Sequence, residues 1–261
     1  MTLLLSAADW CYFDKAALPV DVYYTRLKQA GYTAAEMVPI DRRPTARCAG
    51  LTLLNAIGPG NLNRADEHDA KVAELDTAID AAAEAGIAQL IVFSGNRHHG
   101  KERLLISDND GRRAIVAALQ RVAPHAERAN VTLTLEVFNT FDHPDYQCDR
   151  SDFAFDIIRA VGSSHVRVLY DLYHMHRMGE SVIDVALTNL PLIAHFHIAA
   201  APKRDFPDAG TSPDYVEIIR RLTAAGYTGH FGMEWLPTRP PLDELADATR
   251  RFAPAFTSRQ T

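Results

Sequence analysis

Apolar runs alternate with longer amphipathic segments along this chain of 261 residues. The apolar runs lack regular alternation with polar residues, which is typical of strands buried on both faces of a parallel sheet. Eight strands are predicted, at Leu3–Ala8, Ala34–Pro39, Leu51–Ile57, Gln89–Ser94, Val131–Val137, Val166–Leu172, Ala194–Ala199 and His230–Leu236.

Between these runs, apolar residues recur at helical spacing, as Val72, Leu75 and Ile79 do. The predicted helices are Val20–Ala30, Pro44–Ala49, Asp66–Ala85, Arg112–Arg128, Phe153–Val161, Val182–Leu190, Tyr215–Ala225 and Leu242–Phe252. Eight alternations in a chain of this length predict a closed (β/α)8 TIM barrel, an α/β fold, as one domain over residues 1–261. An open doubly wound sheet has less support, because no Gly-x-Gly-x-x-Gly follows the first strand.

Composition narrows the class of protein. The formal net charge of −6 disfavours nucleic acid and anionic membranes as main partners, since both attract basic surfaces. Three cysteines, Cys11, Cys48 and Cys148, are an odd number and indicate a reducing compartment without a disulfide framework. No apolar stretch is long enough for a membrane span, and no basic region precedes the apolar Met1–Leu5 run. We therefore expect a cytoplasmic protein with no membrane partner.

Residues of metal-ligand type end four consecutive predicted strands. They are Glu136, Asp171, His197 and Glu234. Active sites of such barrels lie at the carboxyl ends of the strands, and three carboxylates with an imidazole suit Mn²⁺, Mg²⁺, Co²⁺ or Zn²⁺. The pattern predicts one divalent metal ion per chain.

Each of these residues alone has a plainer interpretation. A carboxylate at a strand end is commonly a helix cap or a loop hydrogen-bond acceptor. His195 and His197 lie two apart in a strand and therefore face the same side. His197 is nearer the carboxyl end and is the preferred ligand, whereas His195 is expected to be a packed, hydrogen-bonded core residue.

Several motifs are specific enough to suggest a family. They are Leu135-Glu136-Val137-Phe138-Asn139, Leu169-Tyr170-Asp171-Leu172-Tyr173-His174-Met175, His195-Phe196-His197 and Gly226-Tyr227-Thr228-Gly229-His230-Phe231-Gly232-Met233-Glu234, with further support at Asn63-Arg64, Glu67-His68, 93–97 and 142–149. Through them nearly the whole chain resembles the xylose-isomerase-like barrels, and within these the hydroxypyruvate-isomerase-like sugar isomerases.

The resemblance implies roles for individual residues. One divalent metal is bound by residues matching Glu136, Asp171, His197 and Glu234, and the two glutamates also act as the acid–base pair. The expected substrate-binding residues are His174, Arg204, Glu36, His68 and Arg97. For three of these a second role is open: His174 can orient Asp171, Glu36 can hold His68, and Arg97 can pair with Glu36.

The loop after the seventh strand bears on the substrate. Lys203 follows His197 by only six residues, so this loop can fold over the metal, and the Arg204 guanidinium suits a carboxylate or a set of hydroxyls. The plainer interpretation is a solvated Lys-Arg pair. Relatives carry a glutamate where this chain has Thr211-Ser212-Pro213, which puts the identity of the substrate in doubt.

These observations favour an isomerase or epimerase of a small sugar or hydroxy-keto acid that works through an enediolate. The alternative is a lyase, a dehydratase or decarboxylase of a sugar acid, on the same metal site. A DNA-repair nuclease of the endonuclease IV type needs a trinuclear metal cluster and a basic groove, and a metal-free sugar-binding barrel needs no ion. The resemblance also implies a homodimer or homotetramer.

Overall fold

The computed structural model describes residues 3–256. Residues 1, 2 and 257–261 of the predicted domain, and with them the start of the apolar Met1–Leu5 run, lie outside the described residues. Contacts divide the chain into two compact units. The first comprises the described parts of Met1–Leu54, Gly179–Leu190 and His195–Thr261, and the second comprises Asn55–Met178 and Pro191–Ala194.

The strands in the described chain are short. They are β1 (Leu5–Ala8), β2 (Ala34–Glu36), β3 (Thr52–Leu53), β4 (Asn55–Ile57), β5 (Gln89–Val92), β6 (His98–His99), β7 (Leu104–Leu105), β8 (Thr132–Glu136), β9 (Val166–Asp171), β10 (Ile193–Ile198) and β11 (Phe231–Met233). The helices are α1 (Asp9–Ala16), α2 (Val20–Gln29), α3 (Arg43–Cys48), α4 (His68–Glu84), α5 (Asp108–Ala129), α6 (Ser151–Val161), α7 (Leu172–Arg177), α8 (Val182–Thr188), α9 (Tyr215–Ala224) and α10 (Pro241–Phe252), with 3-10 turns at Ile40–Arg42, Leu190–Leu192 and Ala253–Phe256. No helix within residues 3–256 is both long enough and apolar enough to cross a membrane.

The first unit contains a parallel sheet in the order β3-β2-β1-β11-β10. The register pairs Ser6 with Gly232 and Ala8 with Glu36 on either side of β1. On the other side of β11, His197 pairs with Gly232. This register brings the side chains of β2, β10 and β11 toward one another at the carboxyl end of the sheet.

The second unit contains a parallel sheet in the order β9-β8-β5-β4, and the antiparallel β6–β7 hairpin. Helices α4 and α5 pack against each other in this unit. Their apolar positions at helical spacing, such as Val72, Leu75 and Leu119, are buried as the sequence predicts. Burying each such side chain contributes about 1.5–3 kcal/mol, so this apolar stripe is the main support of the pair.

Several element boundaries differ from the sequence predictions. The third predicted strand is two strands, because Thr52–Leu53 pairs with β2 whereas Asn55–Ile57 pairs with β5. Helix α1 is not among the predicted helices, and it begins without a side-chain cap, so the usual start signal is missing. The last residue of the predicted sixth strand, Leu172, begins α7 instead, because the carboxylate of Asp171 caps that helix.

Candidate active site

Two carboxylates end neighbouring strands of the second unit. Glu136 is the last residue of β8, where it pairs with Leu169, and Asp171 is the last residue of β9. Asp171 lies two positions beyond Leu169, so both carboxylates face the same side of the sheet. Both are buried, which favours a site where a cation compensates their charge.

Asp171 has one carboxylate oxygen engaged by backbone. Its Oδ1 accepts hydrogen bonds from the amides of Tyr173 at 2.8 Å and His174 at 3.3 Å, at the start of α7. Its Oδ2 lies 3.5 Å from Nε2 of His174. The helix-cap interpretation is therefore correct for one oxygen, and it fixes the direction in which the second points.

His174 is held in a defined tautomer by Asn139. The backbone amide of Asn139 donates to Nδ1 of His174 at 3.1 Å, and the Asn139 side-chain amide lies 2.6 Å from the same nitrogen. Since Nδ1 accepts, the hydrogen of the neutral ring is on Nε2. His174 thus presents an N–H donor on the side of Asp171.

A network around Asp142 supports this arrangement. Asp142 Oδ2 accepts hydrogen bonds from Tyr173 Oη at 2.6 Å and from the Asn139 side chain at 2.9 Å, and Arg177 pairs with Oδ1 at 2.5 Å. Partial burial alone would raise the pKa of Asp142, but these donors outweigh it and lower that pKa to about 2. The ionised carboxylate orients Asn139 and, through it, His174.

In the first unit, β10 and β11 carry an equivalent pair. His197 pairs with Gly232, and Glu234 lies two positions beyond Gly232, so the imidazole and the carboxylate face the same side. His197 Nδ1 lies 2.9 Å from Oε2 of Glu234, and both residues are buried. The structure therefore brings these two predicted ligands together.

Glu36 lies completely buried behind this pair. Its Oε1 accepts from Ser6 Oγ at 2.5 Å and lies 3.0 Å from His195 Nε2, while its Oε2 lies 2.9 Å from His197 Nε2. Burial would raise the pKa of Glu36, but the two histidines outweigh burial and hold that pKa well below its ordinary value. His195 is confirmed as a packed, hydrogen-bonded core residue. Both carboxylate oxygens of Glu36 thus face side chains of β1 and β10, and its contact with a substrate hydroxyl or with His68 stays a prediction.

Glu234 accepts hydrogen bonds from two further side chains. Trp10 Nε1 donates to its Oε1 at 2.9 Å, and Arg204 Nη2 donates to its Oε2 at 2.5 Å. Burial would raise the pKa of Glu234, but His197 and Arg204 outweigh it and hold that pKa well below its ordinary value. Arg204 has the left-handed φ of 55°, a conformation that non-glycine residues rarely adopt and that clusters at functional sites.

Two predicted substrate-binding residues have surroundings that the sequence did not reveal. Arg97 pairs with Asp149 at 2.9 Å and donates to the carbonyl of Tyr146 at 2.6 Å. Arg97 Nε also lies 3.5 Å from Asp108 Oδ1, so two carboxylates of the second unit pair with Arg97, whereas the sequence suggested Glu36. His68 begins α4 and lines a surface cavity of about 340 Å³ together with Asp110.

Three contributors escaped sequence reasoning: Ser6, Trp10 and Asn139. The Trp10 side chain is 49% exposed and still donates to the buried carboxylate of Glu234. Asn139 stands in the Leu135–Asn139 motif, and its position three residues after Glu136 was the one available signal.

Carboxylates and an imidazole at the ends of parallel strands, in a chain that alternates strands and helices, define a barrel protein with a candidate metal centre. Residues 25–254 match the family described as xylose isomerase-like TIM barrel. The chain belongs to this family, which confirms the predicted (β/α)8 barrel and the resemblance stated above.

Individual relatives agree with this assignment. The putative hydroxypyruvate isomerase of Drosophila melanogaster is 26% identical over 172 residues, which cover 66% of this chain and 63% of that protein. This chain thus spans less than two thirds of that relative. The D-psicose 3-epimerase of Agrobacterium fabrum is 29% identical over 208 residues, 78% of this chain and 70% of that protein.

A solved structure shows the same fold. The crystal structure of an AP endonuclease, family 2, from Brucella melitensis has a TM-score of 0.84 at 21% identity and covers 97% of this chain and 99% of its own. At this identity the likeness concerns the fold alone.

Proposed function

We propose that this protein is a divalent-metal-dependent isomerase or epimerase of a small sugar or hydroxy-keto acid. Relatives named putative hydroxypyruvate isomerase and D-psicose 3-epimerase support this class of reaction. The observation that carries the proposal is the buried contact of 2.9 Å between His197 Nδ1 and Glu234 Oε2 at the carboxyl ends of β10 and β11. An imidazole nitrogen and a carboxylate oxygen are both common metal ligands. A contact that only packs the core would not need two buried polar groups side by side.

The proposed ligands are Glu136, Asp171, His197 and Glu234, all buried and all of metal-ligand type. The donor set fits Mn²⁺, Mg²⁺, Co²⁺ or Zn²⁺, because it combines hard carboxylate oxygens with one imidazole nitrogen. A bound divalent ion stabilises the negative charge that develops on substrate oxygens during enolisation. One ion per chain is expected.

Glu136 and Glu234 are the proposed acid–base pair. A carboxylate that takes the proton from the carbon beside a carbonyl and returns it to the neighbouring carbon interconverts an aldose and a ketose through an enediolate. Two carboxylates on opposite faces of the substrate invert a stereocentre instead. Arg204 and His197 favour the ionised form of Glu234, which is the form that accepts a proton.

Three further residues are proposed to bind the substrate. His174 donates through Nε2, because Asn139 occupies its Nδ1. Arg204 lies beside Glu234, where its guanidinium can also orient a substrate carboxylate or hydroxyls. His68 remains a prediction from the family motif.

The loop that carries Arg204 continues to Thr211-Ser212-Pro213, and this segment argues against hydroxypyruvate as the preferred substrate. Thr211-Ser212-Pro213 stands where relatives have a glutamate, so we propose weak activity on hydroxypyruvate and a preference for another small polyhydroxy carbonyl compound. Efficient turnover of hydroxypyruvate would contradict this part of the proposal.

Proton NMR in D₂O tests the reaction itself. The protein is incubated with a divalent metal and a panel of hydroxypyruvate, tetroses, pentoses, hexoses and keto acids. Deuterium entering the carbon beside a carbonyl, with an isomeric product, is the expected result. Loss of water or carbon dioxide from a sugar acid supports the lyase alternative, and no exchange on any substrate contradicts both.

Elemental analysis tests the ligand set. The unchanged protein is expected to carry a single metal ion, and the Glu136→Gln and Asp171→Asn proteins are expected to lose it. Full occupancy in both variants would refute the ligand set. The proposed homodimer or homotetramer is tested by light scattering at micromolar concentration, where a monomeric mass contradicts it.

A further inference from the structure

Glu36 lies at the end of β2 between three hydrogen-bond donors and has no exposed surface. Ser6 Oγ and His195 Nε2 converge on Oε1, whereas His197 Nε2 approaches Oε2. Burying a carboxylate destabilises the folded protein unless both of its oxygens accept hydrogen bonds. The three donors provide that satisfaction within the first unit.

This geometry determines the tautomer of His197. An ionised carboxylate only accepts hydrogen bonds, so the Nε2 atom of His197 must carry a hydrogen. The neutral ring then has its lone pair on Nδ1, which lies 2.9 Å from the acceptor Oε2 of Glu234. A proton shared between Nδ1 and Oε2 makes this contact favourable, and a divalent cation bound between the two atoms would take the place of that proton.

We propose that Glu36 is a positioning residue that holds His197 in the Nε2–H tautomer, so that Nδ1 is the nitrogen offered to a divalent cation. The inference rests on the proposed function. It gives Glu36 a role other than the substrate contact expected from the sequence. Hydrogen bonds of this kind orient metal-binding histidines, and their loss typically costs about 10–100-fold in metal affinity.

The glycine opposite Glu36 gives independent support. A Cβ atom at Gly232 would clash with Glu36 Oε1, His197 Cδ2 and His195 Nε2. The backbone of β11 therefore approaches the carboxylate and both rings more closely than any other residue type allows. The sheet is built around this hydrogen-bonded group.

Glu36, His195 and His197 could themselves hold a metal ion, since their ligand atoms lie within 4.8 Å of one another. We interpret this group as hydrogen-bonded, because Oε1 of Glu36 accepts from Ser6 Oγ as well as facing His195 Nε2. A second ion bound at Glu36 would overturn the positioning role.

The principal test is Glu36→Gln. The amide oxygen is expected on the side where Ser6 and His195 converge, which turns the amide NH₂ toward His197. The Nε2 atom of His197 must then accept, and its hydrogen moves to Nδ1. We expect the dissociation constant for Zn²⁺, measured by competition with a fluorescent chelator, to rise about 10–100-fold. The matched control is Ser6→Ala, which removes one donor to Glu36 without touching a histidine and should leave Zn²⁺ affinity within about threefold.

Imidazole ¹⁵N NMR of the unchanged protein provides a readout that needs neither activity nor a stable variant. In metal-free protein at pH 9 we expect the Nε2–H form of His197, and with one equivalent of Zn²⁺ we expect ligation through Nδ1. Any other protonation pattern at pH 9, ligation through Nε2, or unchanged Zn²⁺ affinity in Glu36→Gln overturns the inference. If the unchanged protein binds no metal, the proposed function fails while the metal-free spectrum still decides the role of Glu36.

Discussion

His230 should make this protein sensitive to mild acid. Its ring precedes β11, is largely buried, and Nε2 lies 3.0 Å from Oγ1 of Thr33. Burial, with a smaller contribution from His195, lowers the pKa of His230 from 6.5 to about 4. The folded protein therefore favours the neutral ring, and the unfolded chain accepts a proton first as the pH falls.

The sign and size follow from proton linkage. Above about pH 6.5 both states hold His230 neutral and the group has no pH-dependent effect on stability. Below that pH the free energy of unfolding decreases, and the loss continues until the folded pKa near 4 is reached. At 1.36 kcal/mol per pKa unit, the loss is about 1.4 kcal/mol at pH 5.5 and about 3 kcal/mol at pH 4.

Urea unfolding from pH 7.5 to 4, followed by circular dichroism, measures this effect. His230→Gln keeps a polar group near Thr33 but cannot titrate. The difference in the free energy of unfolding between unchanged protein and variant therefore reports His230 and not the carboxylates. That free-energy difference should change by about 3 kcal/mol over this pH range. His165→Gln removes a histidine from a turn and serves as the control for replacing any histidine with glutamine. A constant difference between unchanged protein and His230→Gln would refute the reasoning.

Further predictions concern the site and one surface contact. Metal-loaded Glu234→Gln should lose about 10²–10⁴-fold in kcat, and a near-normal rate would exclude it as the acid–base group. Arg204→Ala should raise KM about 10–100-fold with unchanged metal content, whereas Arg204→Lys should recover only part of the loss; kinetically silent variants would contradict a substrate-binding role. Gly232→Ala should weaken Zn²⁺ binding although it removes no polar group, and unchanged affinity would show that the network tolerates displacement. Hydrogen bonding to Asp76 raises the pKa of His125. The stabilisation from this hydrogen bond is complete below about pH 6.5 and is lost as the pH rises through the higher folded pKa. Scanning calorimetry should show this trend in the unchanged protein and not in His125→Gln.

Much of the fold could be predicted because buried parallel strands leave a strong signal. The runs at Gln89–Val92 and Val166–Asp171 are apolar over most of their length, whereas Thr132–Glu136 alternates Thr and Leu, and the predicted strand ends lie within a few residues of the observed ones. Short helices were harder. Helix α1 has no cap, and α7 has only six residues, too few for a periodic pattern to be recognised.

The metal-ligand-type residues could be predicted because each of them ends its own strand, which is a local feature of the sequence. Their hydrogen-bond partners could not be predicted, because those contacts depend on how strands pair across long stretches of sequence. Glu36 and His197 are 161 residues apart, and their contact follows from the placement of β2 and β10 on either side of β1 and β11. Arg97 finds Asp149 across 52 residues for the same kind of reason. Sequence alone offered Glu36 as a polar residue at a strand end, where a substrate contact and a buried support look alike.

The Gly226–Glu234 motif shows how a family pattern can be converted into physical causes. Gly226 has a φ of 98° after α9, where a residue with a side chain would be strained. A Cβ at Gly229 would collide with the ring of Tyr227, whose hydroxyl donates to the carbonyl of His230. Gly232 gives Glu36 and both histidines their space, and Glu234 follows on the same face two residues later. The three glycines thus allow a helix to end, a tyrosine ring to pack and a buried carboxylate to fit. Only Glu234, the last residue of the motif, takes part in the proposed chemistry.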